Sequence, residues 1–331
     1  MNSFTAVPSR AESVPRDFPE HSKIARDKSR WSRATPLRGI HSVATPITVL
    51  GQGPMGRALT QAFLTAGHPT TVWNRTAAKA AGSVAAGAIL ADSPGAAVEA
   101  AELVVVNVID YDAVEAIVRP VATQLKGRTL VNLVADTPCR ARRLAGWAEE
   151  NGIDYLDGAI MVPTTAVGTP ESLIFYAGDE RLYQAHKPAL DALGGGTYVG
   201  ADPGRAASMD VPLLDMFFHG YAGLAHGFAL AKAEGIDPAD LAPYAKMITG
   251  LVPQFVEEHV RRMQEQDYGD DLSSIRSMAA GLSHIADTAE ENRLDAGSVR
   301  AVQAILRRAI EAGRGDDSLG KLTDLFGEVT A

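Results

Sequence analysis

A chain of 331 residues has room for two domains, and 46% apolar residues support a sizeable core in each. The formal net charge of −9 argues against nucleic acid as a main partner. A single cysteine, Cys139, excludes an intrachain disulfide; nothing resembles a metal-ligand motif, and no metal is expected.

Residues 1–45 are rich in Arg, Ser and Pro and lack apolar periodicity, so they read as a disordered or loosely packed tail. Glu12, Asp17, Glu20 and Asp27 speak against a transit peptide, and no apolar stretch suits a secretion signal. A cytoplasmic location is the expectation.

The organised chain opens on a β-branched strand over 47–50, followed by Gly51, Gly53 and Gly56 in G-x-G-x-x-G spacing. A helical pattern through Met55, Leu59, Phe63 and Leu64 comes next, closed by Gly67, and 70–73 reads as a second strand. Strand, glycine turn, helix and strand in this order are the context of a dinucleotide site. Gly51 makes the tight turn, Gly53 lets backbone approach a pyrophosphate, and Gly56 lets helix and strand pack closely. The second strand ends in Asn74, Arg75 and Thr76, with Lys79 one turn later, where an NAD site usually carries an acid. Arg and Lys there suit a 2′-phosphate, so NADP(H) is expected over NAD(H).

The α/β rhythm continues. Helices are expected over 78–86, 94–100, 112–121 and 138–151, and strands over 88–90, 103–109, 130–133, 155–159, 173–177 and 197–199. This alternation predicts a doubly wound parallel sheet, a Rossmann-like domain over 46–203. Ligands bind beyond the strand C-termini, which turns 108–112, 134–137 and 161–165 towards the cofactor. Val108, Ile109, Asp110, Val134 and Ala135 are the cofactor candidates there, and Asp136, Met161 and Val162 the substrate-pocket candidates.

From residue 204 onward the pattern is helical throughout, over 205–234, 241–266, 272–292, 298–312 and 319–326. An all-α domain over 204–331 is expected. The helix over 205–234 is apolar around most of its circumference, but Asp215, His219 and His226 interrupt it and no basic loop flanks it. It reads as a helix buried between domains or subunits, not a membrane span, and implies a dimer. Asp210, near its start, is either a desolvated acid poised to donate a proton or a cap before Pro212. Asp215 and His219 stand at i and i+4 and can pair.

The chain resembles the NADPH-dependent imine reductases and reductive aminases, a branch related to β-hydroxyacid dehydrogenases. The resemblance runs from about Ile47 to the C-terminus. It rests on GQGPMGRAL at 51–59, VWNRTAAK at 72–79, DYDAV at 110–114, DGAIMVPTTAVGTPESLIFYAG at 157–178 and GRAASMDVPLLDMF at 204–217. It implies cofactor contacts from Gln52, Pro54, Met55 and Val114 as well, with Asn74, Arg75, Thr76 and Lys79 as a 2′-phosphate clamp. It also implies a homodimer with a swapped helical domain, a small imine or amine as substrate at the subunit cleft, and hydride transfer from NADPH to a C=N bond.

Within that resemblance Ser208 stands opposite the catalytic Lys of β-hydroxyacid dehydrogenases and Val211 opposite their Asn. No Lys occurs between Gly204 and Ala231. Many imine reductases instead place Asp or Tyr where this chain has Asp210, which makes it the expected proton donor or iminium stabiliser. Asp215, Phe218, His219 and Met278 are further pocket candidates. Phe218 replaces a Tyr of some reductive aminases. Asp136 replaces a small neutral residue, and either favours a cationic amine product or caps the next helix. Asn107 falls in a strand that is usually apolar at that point. The competing readings are a 3-hydroxyacid dehydrogenase and a non-catalytic NADP(H)-binding protein.

Overall fold

The computed structural model describes residues 44–266, 268 and 273–327. The expected tail, except its last two residues, and Leu272 at the start of an expected helix lie outside the described residues. Among those residues one sheet holds β1 (Ile47–Leu50), β2 (Thr70–Trp73), β3 (Ile89–Leu90), β4 (Leu103–Val106), β5 (Thr129–Asn132), β6 (Asp154–Ile160), β7 (Ile174–Gly178) and β8 (Gly196–Gly200). Their order is β3-β2-β1-β4-β5-β6-β7-β8.

β1 to β6 run parallel, joined by α1 (Pro54–Thr65), α2 (Ala81–Ala85), α3 (Pro94–Glu99), α4 (Tyr111–Val118), α5 (Ala122–Leu125) and α6 (Pro138–Glu150). The wholly parallel expectation needs one correction: β7 returns antiparallel to β6. Only a 3-10 turn at Thr164–Ala166 lies between them, so no α-helix crosses a face to restart the strand. A helix that the sequence pattern hid, α7 (Glu180–Leu190), then leads to β8, which runs parallel to β7. Its core side is short (Tyr183, Ala189 and Leu190), and Pro188 breaks the usual helical reading.

The central strands are apolar throughout because both faces are covered. Ile47, Val49, Leu103 and Val105 pack with Leu59 and Phe63 of α1 and Tyr183 of α7 on one face. Leu50, Val104 and Val106 pack with α3, α4 and α6 on the other. The predicted strand over 103–109 stops at Val106, which frees residues 107–110 to form a loop at the sheet's C-terminal edge.

Past β8 the chain is helical: α8 (Arg205–Ala233), α9 (Pro238–Thr249), α10 (Val252–Glu265), α11 (Ile275–Glu291), α12 (Gly297–Glu311) and α13 (Leu322–Gly327). The single helix expected over 241–266 is therefore two, interrupted at Gly250-Leu251 with Pro253 in the first turn of α10. Ile275, Leu306, Ala309 and Leu325 form a small core that joins α11, α12 and α13. The first turns of α8 pack on the sheet, where Ala206 and Met209 meet Ala159, Phe175 and Ala177. Beyond them, every residue from 211 to 225 except Leu214 is exposed within one chain. No described helix is long and apolar enough to cross a membrane.

Candidate active site

The glycine turn leaves β1 beside the loop that follows β4. Gly51 has φ +104°, and a Cβ there would lie 2.0 Å from the Asn107 carbonyl oxygen. A Cβ on Gly56 would lie 2.1 Å from the Gly51 carbonyl, so α1 presses directly on the turn. Gly53 differs, since a Cβ there would meet nothing within 4 Å. It is also the N-cap of α1, and contributes no side-chain bond. With Pro54 in the first turn and no acid there, the N–H groups of Met55 and Gly56 are left for an anion.

Gln52 holds this turn from inside. Its fully buried amide donates to the Gly51 carbonyl and Thr60 Oγ1, both at 3.0 Å, and accepts from Ser83 Oγ at 2.6 Å. Its side chain therefore braces the turn, and its backbone is what borders the expected cofactor site.

Asn74 has a similar bracing role. Its Oδ1 accepts the Gln52 N–H at 2.9 Å and its Nδ2 donates to the Thr76 carbonyl at 2.9 Å, tying the end of β2 to the glycine turn. Each end of this amide thus makes one bond within the chain. Arg75, Thr76 and Lys79 are exposed, and their side chains have no hydrogen-bond or ionic partner among the described residues. They form an open, cationic rim beside the turn.

Asn107 joins the strand ends. Its N–H donates to the Leu50 carbonyl at 2.9 Å and its side-chain amide to the Leu133 carbonyl, which bridges the ends of β1, β4 and β5. That is why a polar residue follows the apolar run. Val108 is half-buried and Ile109 is 87% exposed, an apolar side chain standing free at the sheet edge. Asp110 caps α4, its Oδ1 accepting the Ala113 N–H at 2.8 Å. Val114 is fully buried in the core under α4, so it packs and does not present itself to a ligand. On the far side, Val134 is buried and Ala135 exposed.

Asp136 is not the cap of α6; Thr137 is. Asp136 pairs with Arg140 at 3.3 Å, and Arg140 also bonds Asp112. Met161 packs beside Ala206 and Phe175, and Val162 is half-buried.

Asp210 lies in the second turn of α8, whose N-cap is Gly204, so the cap reading is excluded. α8 continues unbroken through Pro212. Its start is fixed by Asp202, whose Oδ1 accepts the Gly204 N–H at 2.9 Å while its carboxylate pairs with Arg142 of α6 at 2.7 Å. Asp210 is 2% exposed, and its Oδ2 has no hydrogen-bond partner. Burial raises its carboxyl above the usual carboxylate range.

Beside it is a buried polar cluster that sequence reading missed. Asp157 of β6 accepts hydrogen bonds on Oδ1 from Tyr111 at 2.7 Å, Tyr155 at 2.8 Å and the Asn132 amide at 3.3 Å. Burial, and then the nearby Asp210 charge, push the Asp157 carboxyl up to about 7 against the pull of those donors. An Asp inside an otherwise apolar strand was the available signal.

Other pocket candidates are not gathered around Asp210 within this chain. Asp215 and His219 do pair, at 3.0 Å, but both are exposed further along α8, as is Phe218. Met278 packs against the small core of α11 and α12. Among the described residues no group of three His, Cys, Asp or Glu is arranged to hold a metal ion.

A family model described as the NAD binding domain of 6-phosphogluconate dehydrogenase matches residues 46–200. A second, described as the C-terminal domain of NADPH-dependent reductive aminase-like proteins, matches residues 202–328. A curated NADPH-dependent reductive aminase of Aspergillus oryzae is 32% identical over 289 residues, spanning 85% of this chain and 96% of the relative. The chain belongs to the imine reductase and reductive aminase family.

Solved structures of that family agree with the fold. An imine reductase from Myxococcus stipitatus in complex with NADP+ superposes with a TM-score of 0.82 at 35% identity, over 85% of this chain and 99% of that one. A reductive aminase from Aspergillus terreus in complex with NADPH and ethyl-5-oxohexanoate gives 0.77 at 33% identity, over 86% and 99%. As a family member the chain is an NADPH-dependent oxidoreductase.

Proposed function

We propose that this protein reduces a C=N bond to an amine with NADPH, and that Asp210 serves the substrate nitrogen. The observation that carries the reading is Asp210 itself, a buried carboxyl with an unpartnered oxygen, set beside the C-terminal edge of a dinucleotide-binding sheet.

The residues present fit NADP(H). Gly53 leaves room for a pyrophosphate at the bare N-terminus of α1, and Arg75, Thr76 and Lys79 offer unengaged donors to a 2′-phosphate. The free apolar surface of Ile109 suits a flat ring. When bound, NADPH supplies the hydride. The chain supplies position, a dry wall and a proton. Asp210 supplies that proton to an imine nitrogen; once ionised, its carboxylate offsets the positive charge of an iminium. The 3-hydroxyacid dehydrogenase reading has no lysine to rest on between residues 204 and 231.

The active form is proposed to be a homodimer. Met216, Phe217 and Tyr221 of α8, with Tyr244 of α9 and Phe255 of α10, leave large apolar side chains exposed in one chain. An apolar surface of this extent calls for a partner, and a second copy presenting the same helices buries both faces at once. That copy would also bring other pocket residues towards Asp210, which agrees with the exposure of Phe218 and His219. Oxidation of NADPH on addition of a small cyclic imine tests the activity. Tight NADPH binding without turnover of any imine would favour the non-catalytic reading.

A further inference from the structure

We propose that the Gln52 side chain is a positioning group for NADPH selectivity: it ties the 2′-phosphate rim at both ends to the glycine turn, so that Arg75 and Lys79 meet the phosphate from a fixed backbone. This rests on the reading of that rim given above.

The rim runs from Asn74 to Ser83, and both of its ends bond to one residue. At its start, Asn74 Oδ1 accepts the Gln52 N–H at 2.9 Å. At its far end, in α2, Ser83 Oγ donates to Gln52 Oε1 at 2.6 Å. Between them the Thr76 carbonyl accepts from Asn74 Nδ2 at 2.9 Å and from the Lys79 N–H at 3.0 Å, which closes the loop that carries the cations.

Gln52 is held in turn by the glycine turn and α1. Its Nε2 donates to the Gly51 carbonyl and to Thr60 Oγ1, both at 3.0 Å, and Thr60 Oγ1 donates to the Gly56 carbonyl at 2.8 Å. Arg57 Nη1 donates to the Gln52 carbonyl at 3.0 Å. Every polar group of Gln52 is therefore engaged, and the network joins Gly51 and Gly56 to α2. Gln52 and Thr60 are 0% exposed and Ser83 is 5% exposed.

A buried amide costs free energy unless it is hydrogen-bonded, and a satisfied network is directional in a way that apolar contact is not. Apolar packing already docks the rim, since Ala80 is fully buried with Val49 and Val72. The bonds to Gln52 add a fixed distance between the rim and the turn. Arg75 and Lys79 are exposed, and their long side chains lose rotamer freedom when they close on a phosphate. A preorganised backbone lowers that cost for NADPH. NADH has no 2′-phosphate and gains nothing from it.

Isothermal titration with NADPH, NADH and adenosine 2′,5′-bisphosphate, which carries the 2′-phosphate without the nicotinamide, tests this on Ser83→Ala and Gln52→Met. Loss of one buried bond in Ser83→Ala weakens NADPH and the bisphosphate about fivefold and NADH by less than about twofold. Gln52→Met drops the side-chain bonds to Gly51, Thr60 and Ser83, and lowers the preference for NADPH over NADH at least as far. In a chain that already carries Arg75→Ala and Lys79→Ala, Ser83→Ala changes NADPH affinity by less than about twofold, because the groups it positions are gone.

An equal effect on NADPH and NADH, whether a loss or none, would overturn the proposal, since bracing of the fold alone does not distinguish them. So would a full fivefold loss that persists in the Arg75→Ala, Lys79→Ala background. If that double variant keeps the wild-type preference for NADPH, the reading of the rim fails and the coupling with it. Should Gln52→Met fail to fold, Ser83→Ala in the two backgrounds decides the matter.

Discussion

Replacing Arg75 and Lys79 by Ala isolates the discrimination between NADPH and NADH. Both side chains are exposed and bond nothing else among the described residues, so their removal costs the fold within about 0.5 kcal/mol. A hydrogen bond to a charged group contributes about 1.5–3 kcal/mol, and an exposed site sits at the low end of that range. Loss of Arg75 therefore weakens NADPH about tenfold and loss of both residues about a hundredfold. NADH lacks the 2′-phosphate, and its affinity stays unchanged. Fluorescence titration of each cofactor against wild type, Arg75→Ala and the double variant reads this directly, and raised salt narrows the difference. Equal weakening of both cofactors, or none of either, would refute a 2′-phosphate site at this rim.

Gly51→Ala and Gly53→Ala separate the two uses of glycine in the turn: the first meets the Asn107 carbonyl at 2.0 Å and lowers the melting temperature sharply, while the second keeps it and loses NADPH affinity. The folded chain holds a proton on Asp157 up to about pH 7, whereas the unfolded chain releases it near 3.8. Stability from this group is therefore greatest at the acid end of that window and falls as pH rises towards 7. Melting temperatures between pH 5 and 8 should show a steeper fall in wild type than in Asp157→Asn; equal slopes would contradict it. Phe217→Glu with Phe255→Glu should halve the mass seen in sedimentation, and an unchanged mass would place the subunit contact elsewhere.

The strands, the glycine turn and the helical second half were legible because periodicity and glycine spacing report local geometry. The sequence did not show that β7 turns back, since strand direction depends on what lies between β6 and β7 and not on the strands. Asn74 and Gln52 read as ligand contacts from their place in a motif, and their further role of bracing the turn through hydrogen bonds to each other and to neighbouring backbone showed only in three dimensions. Asp157 escaped notice for a related reason: its partners Tyr111, Tyr155 and Asn132 come from three elements, and only the sheet register brings them together. Asp210 stood out from the start, but cap and acid were separable only once Gly204 proved to be the N-cap.

The most direct measurement is single-turnover NADPH oxidation with a preformed cyclic imine at pH 7, comparing wild type with Asp210→Ala and Asp210→Asn. Proton delivery by Asp210 requires the rate in both variants to fall by about 10²- to 10⁴-fold, with NADPH affinity and melting temperature kept. A wild-type rate in either variant would contradict it.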